Sequence, residues 1–212
     1  MISNRIDSLS PSAQLVLKVA SVIGRTFSYE LLYDIFPVEQ TKGTKEMGTL
    51  KQYLATLTIA GLIVKLRLYN VYSFKHSTIL ECCYNLLLPS QRQHLHKSIA
   101  EWYEHNHKSF ASNFHVLAHH WLSANEPSKA LQYLELSGER ALAMFANLEA
   151  VDFFSRVVRI ANELKKEFDL AQKAHWQRCL GEALYNLGRF DVGFSTRRWS
   201  VGVGVLCTCV YA

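Results

Sequence analysis

The sequence predicts a mainly α-helical protein: a winged helix with a small β-hairpin, followed by an antiparallel tetratricopeptide-like helical array. Three observations predict it. Residues 8–61 carry three stretches with helical spacing, and residues 62–74 then switch to the alternation of a strand. From Ser77 onward nearly every segment returns to helical spacing, and Ser128–Leu134 is echoed by Leu148–Phe154. Helices closed by a hairpin follow the winged-helix order, an elaboration of the helix-turn-helix, whereas repeated helix pairs bury a continuous core only by stacking on neighbours.

Each element has its own signal. Ser8-Leu9-Ser10-Pro11 supplies a serine cap and a first-turn proline, Leu15, Val16, Val19, Ala20 and Ile23 follow at helical spacing, and Gly24 closes the helix. Ser28 leads a second short helix that Pro37 stops, and residues 38–48, with Gly43 and Gly48 among charges, read as a loop. The third helix, residues 49–61, puts Leu50, Tyr53, Leu54 and Leu57 on one face and ends at Gly61. Val64, Leu66 and Leu68 then alternate with Lys65 and Arg67, and Asn70 turns the hairpin. His76 begins the helix that leaves the wing. Its stripe of Ile79, Leu80, Cys83, Tyr84, Leu87 and Leu88 runs to Pro89, and Ser90 caps a further helix through Leu95, Ile99 and Tyr103. After a polar break at residues 105–109, helices are predicted near 112–124, 127–145, 147–166 and 169–188, with short connections that imply antiparallel neighbours.

These elements divide the chain into a winged-helix-like domain (1–76), a connecting helix pair (77–110), tetratricopeptide-like repeats (111–198) and an atypical tail (199–212) that reads as disordered or truncated. Composition sets limits on function. The 212 residues are 49% hydrophobic and 19% charged, enough apolar material for a packed core. A formal charge of +5 is spread along the chain, which permits a nucleic-acid partner without pointing to one. Five cysteines without a C-x-x-C pair fit the reducing cytosol, with Cys82 and Cys83 as small core residues; no metal site is assigned, and Cys207 and Cys209 receive no role. No signal peptide and no apolar run of about 18 residues is present, so a cytoplasmic protein without a membrane span is expected.

Catalytic chemistry finds no foothold. Of nine histidines, only His115 and His119 share a helix face at ligand spacing, and Val116 stands where an H-E-x-x-H zinc site needs its glutamate. There is no G-x-S-x-G elbow, and the Gly-Val run near Gly202 lacks the lysine and setting of a phosphate loop. DNA binding would need exposed Arg, Lys, Asn or Gln on the third helix, which offers Lys51 and Gln52. Arg92 and His96 fall on one helical face, four apart, where they could grip the winged domain or an acidic partner; the plainer reading is an exposed polar face.

The N-terminal stretch 6–32, the Gly61-Leu62-Ile63 turn, and Phe74, Lys75, His76, Ile79, Tyr84, Leu87, Arg92, Leu95, His96, Ile99 and Ala100 together resemble the region after the ATPase of class III adenylate cyclases of the soluble type and of signal-transduction ATPases with numerous domains (STAND ATPases). Leu117-Ala118-His119-His120-Trp121 and Asn147-Leu148-Glu149-Ala150 extend the resemblance. It implies a non-catalytic regulatory and interaction segment that couples nucleotide state to a partner or to cyclic AMP output. It also implies ATPase and cyclase modules as partners, in the same chain or another, and a protein partner on the repeats. ATP or ADP is implied for the neighbouring domain alone, with His76 as the sensor that approaches it, and no cofactor is expected in this chain. Phe74, Tyr84 and Leu95 are expected in interdomain packing, with Lys75, Arg92 and His96 as further partner contacts. The alternative is the arm of a transcription regulator whose winged helix binds DNA.

Overall fold

The computed structural model describes residues 2–36, 45–66, 70–106, 113–164 and 168–188. The tail from 199, Arg67, Leu68 and the sequence-predicted loop up to residue 44 lie outside them. The described residues are mainly helical, with one small antiparallel sheet. Contacts divide the chain into two compact units, Met1–Phe110 with His119–Glu126, and Ala111–Ala118 with Pro127–Ala212.

The first unit contains α1 (Ile2–Asp7), α2 (Pro11–Ile23), β1 (Thr26–Ser28), α3 (Tyr29–Ile35), α4 (Lys45–Ile59), β2 (Ile63–Lys65), β3 (Val71–Phe74), α5 (Ser77–Asn85) and α6 (Pro89–Asn106). From α2 to β3 this is the winged-helix order. Serines start two of the helices as the sequence predicts: Ser10 Oγ accepts the Ala13 N–H at 3.3 Å, with Pro11 in the first turn, and Ser28 Oγ accepts the Leu31 N–H at 3.2 Å. At the other end of α4 the chain leaves through Gly61 at φ +66°, where Leu62 N–H reaches back to the Leu57 carbonyl.

Four local expectations need correction. The sheet has three strands in the order β1-β3-β2, because Thr26–Ser28 pairs with Val71–Ser73. Three residues are too few to show an alternating period, so this strand is invisible until its partner is in place. α1 also precedes the first predicted helix, and it anchors the core through Ile6. α4 starts at Lys45 rather than 49; good helix formers outweigh Gly48, which costs about 1 kcal/mol relative to Ala. Ser90 does not cap α6. That helix begins at Pro89, and the side chain of Gln91 instead accepts the Leu88 N–H at 3.1 Å.

One hydrophobic core binds the unit together. Val16, Leu17 and Ala20 of α2, Leu54 and Leu57 of α4, and Phe27 and Phe74 of the sheet share it with Ile79 and Cys83 of α5 and Leu95 and Ile99 of α6. Each such side chain contributes about 1.5–3 kcal/mol by leaving water. The two helices after the wing are thus packed onto the winged-helix core. On the wing, Ile63 points inward, whereas Val64 and Leu66, expected as the apolar face, are both exposed.

α7 (Phe114–Ser123) spans the division between the units, and the second unit continues with α8 (Pro127–Ala143), α9 (Asn147–Glu163) and α10 (Leu170–Asn186). The echo noted in the sequence is a packing echo: Ala130 and Ala150, Leu134 and Phe154, and Ala141 and Ala161 are all buried. A glycine permits the close approach of α8 and α9. A Cβ on Gly138 would meet Phe154 Cε2 at 2.7 Å. α7 and α8 each end in a left-handed residue, Asn125 at φ +61° and Phe145 at φ +57°, with the next N–H returning to a carbonyl five residues earlier.

Candidate functional site

The helix junction after the wing carries most of the residues singled out in the sequence. Phe74 sits inside the winged-helix core, its ring 5.8 Å from that of Phe27, so it holds the wing rather than a partner. Lys75 and His76 are exposed at the start of α5. His76 occupies the cap position but makes no side-chain cap bond. A Cβ on Gly61 would meet Arg5 Nη2 at 3.6 Å and Lys75 Nζ at 3.9 Å, so two cations stand over the C-terminal end of α4, where Arg5 donates to the Ala60 carbonyl. Unpaired carbonyls and the helix dipole favour positive charge there.

Tyr84, Arg92 and His96 come together, and they turn inward. The Arg92 guanidinium lies over the Tyr84 ring at 4.6 Å, donates from Nε to the Leu87 carbonyl at 3.0 Å and from Nη2 to the Asn85 carbonyl at 3.3 Å. It closes the end of α5 and is thereby committed within the unit. His96 is 1% exposed, which excludes the expected solvent-facing polar face. Its Nε2 meets the Tyr84 hydroxyl at 3.1 Å and its Nδ1 meets His120 Nδ1 at 2.8 Å. Only one of those two Nδ1 atoms can carry a proton if both rings are neutral. With the proton on His96, Nδ1–H donates to His120 and Nε2 is left to accept from Tyr84 O–H.

Burial keeps this pair neutral. It pulls the His96 pKa down to about 4, with the charges of His119 and Arg92 acting in the same direction. It pulls His120 down to about 3, helped by His96 and His119. Beside them Trp121 Nε1–H donates to Glu104 Oε1 at 3.0 Å and Lys97 pairs with Glu126 at 3.6 Å. Chemically the junction is a brace of neutral and charge-assisted hydrogen bonds between α5, α6 and the last turns of α7. His120 could not be assigned to it from sequence, since no helical period relates it to a residue 24 positions away.

Two of the exposed surfaces among the described residues bear on partner binding. The outer face of α4, where a DNA reader would place its polar side chains, exposes Lys51, Gln52, Ala55 and Thr56 together with Ile59, which is 87% exposed. Lys51 is already 5.6 Å from the Tyr29 ring. In the second unit, the turn from α8 to α9 exposes Met144, Phe145 and Leu148. Phe145 is 83% exposed and holds a positive φ that costs a residue with a Cβ about 1–2 kcal/mol. Its sequence context, Met-Phe-Ala-Asn, shows no glycine to announce that backbone.

Among the described residues, no helix is long and apolar enough to cross a membrane. The chain is similar to the peroxide stress-activated histidine kinase mak3 of Schizosaccharomyces pombe, 25% identical over 171 residues. That similarity covers 78% of this chain and 7% of the kinase. No family model and no solved structure matches. The family expected from the sequence is therefore corrected: the similarity is to a histidine kinase, and nothing found links the chain to class III cyclases or signal-transduction ATPases. The physical reason is visible in the core. Phe74, Ile79, Leu95 and Ile99, which carried the resemblance, are packing residues, and agreement at such positions reports architecture rather than family. The nucleotide-sensor role of His76 and the ATP or ADP beside it rested on that resemblance.

Proposed function

We propose that this chain is a non-catalytic regulatory and interaction segment of a larger signalling protein. One observation carries the reading: its similarity falls on a small share, 7%, of a much longer stress-activated histidine kinase. The first unit takes up the state of a neighbouring module through the exposed Arg5 and Lys75, which meet over Gly61. Packing passes that state inward, because α5 and α6 share one core with the wing and are braced through Tyr84, Arg92, His96 and His120. The exposed turn around Phe145 is the contact for a protein partner. The setting is cytoplasmic, in keeping with free cysteines at Cys82, Cys83 and Cys179.

DNA binding is the competing reading. An exposed isoleucine on α4 and the exposed Val64 and Leu66 of the wing favour a protein surface over phosphates. Two assays on the purified chain test the proposal. Incubated with labelled ATP and magnesium, it should take up no phosphate, and its weak affinity for duplex DNA should be the same for any sequence. Labelled phosphohistidine would overturn the non-catalytic reading. Tight, sequence-selective DNA binding that falls steeply with salt would establish the other.

A further inference from the structure

A cluster in the second unit has no part in that reading. Glu135 and Glu139 stand one turn apart on α8, and His175 reaches them from α10. His175 Nε2 lies 3.0 Å from Glu139 Oε1 and 3.8 Å from Glu135 Oε1, and the three donor atoms all fall within 4.8 Å of one another. Ligands on one zinc-like ion, with bonds of about 2.0–2.2 Å, stand roughly 3–3.6 Å apart, so side-chain adjustments of about an ångström complete the set. The mixture also matters. Two carboxylates and an imidazole suit zinc, cobalt or manganese, whereas calcium takes an all-oxygen shell.

The surroundings position the ring. Cys179 Sγ packs 3.8 and 3.9 Å from its two nitrogens, against the ring rather than among the ligands. Glu135 is mostly shielded, its side chain 19% exposed, while Glu139 at 44% leaves an outer side for water. Arg178 Nη2 lies 3.3 Å from Nδ1, the nitrogen that must carry the proton once Nε2 holds an ion; its exposed side chain can withdraw.

We propose that Glu135, Glu139 and His175 form a site for a divalent transition metal of the zinc class, completed by water, that ties α8 to α10. The sequence hides it, because His175 is 36 residues beyond Glu139. The proposal stands apart from the regulatory reading, and either can fail alone.

Cobalt titrated into the untagged full chain, followed by visible absorption and by zinc competition, tests it. One ion per chain is expected, with zinc raising the unfolding midpoint. Glu139→Gln and His175→Ala should each weaken binding at least about tenfold, and Cys179→Ser should leave it within about threefold. Arg178→Gln should tighten it. His175→Ala can disturb folding, so Glu139→Gln, at an exposed position, decides the matter with circular dichroism as the check on fold. No cobalt spectrum in excess cobalt, or a site indifferent to Glu139→Gln and Glu135→Gln, would overturn the assignment.

Discussion

His96 Nδ1 lies 2.8 Å from His120 Nδ1, an imidazole pair that joins α6 to the last turns of α7 at a point where both rings are buried. The contact requires that one facing nitrogen lack a proton. It is reinforced by Tyr84 on the far side of His96, so three helices meet at one neutral hydrogen-bonded chain.

That neutrality makes stability pH-dependent. Folded pKa values near 4 and 3 lie below the unfolded value near 6.5, so the contribution is fully present above about pH 6.5 and is lost as pH falls toward about 4 for His96 and about 3 for His120. Stability should fall with pH across that window, by at most about 1.4 kcal/mol per pH unit for each histidine. Urea unfolding at several pH values should show the slope in the parent and a flatter profile in His96→Gln/His120→Gln. Equal slopes would mean that the pair is not held neutral.

Gly138→Ala should destabilise the second unit. The added Cβ meets the buried Phe154 ring at 2.7 Å, and overpacking of about 1–3 kcal/mol exceeds the gain in helix propensity of up to about 1 kcal/mol. Thermal unfolding reads the result; a stabilised variant would show that α8 and α9 are not in close contact at this point.

Phe145→Asn should do the opposite. The residue is 83% exposed, so little burial is lost, and asparagine tolerates the positive φ, for a gain of about 0.5–1 kcal/mol. An unchanged or lower unfolding midpoint would argue that the ring is packed in solution.

Arg92→Lys is not conservative here. Lysine cannot reach the Leu87 and Asn85 carbonyls together while lying flat on Tyr84, and a loss of about 1–3 kcal/mol is expected by chemical denaturation. A neutral substitution would return Arg92 to the solvent-facing role that its spacing first suggested.

Local patterns made much of this architecture legible. Ser10-Pro11, Ser28 and Gly61 mark helix ends where the sequence places them, and the core uses the apolar stripes of α2, α4 and α5, except that Leu88, expected on the last of these, is exposed. What needed a partner was not legible. β1 exists because β3 lies beside it, His96 changes from surface residue to core because His120 and Tyr84 receive it, and Glu135 and Glu139 acquire His175 from another helix. Phe145 eluded the sequence for a different reason, since its backbone is set by the helix end and not by its own preference.

The central claim is tested most directly by replacing the matched segment of the Schizosaccharomyces pombe kinase with this chain and measuring histidine phosphorylation with and without peroxide. A kinase lacking the segment should still phosphorylate itself but lose its response to peroxide, and the chimera should regain it. A segment-deleted kinase that responds fully, or a chimera that phosphorylates itself normally yet ignores peroxide, would contradict a regulatory role.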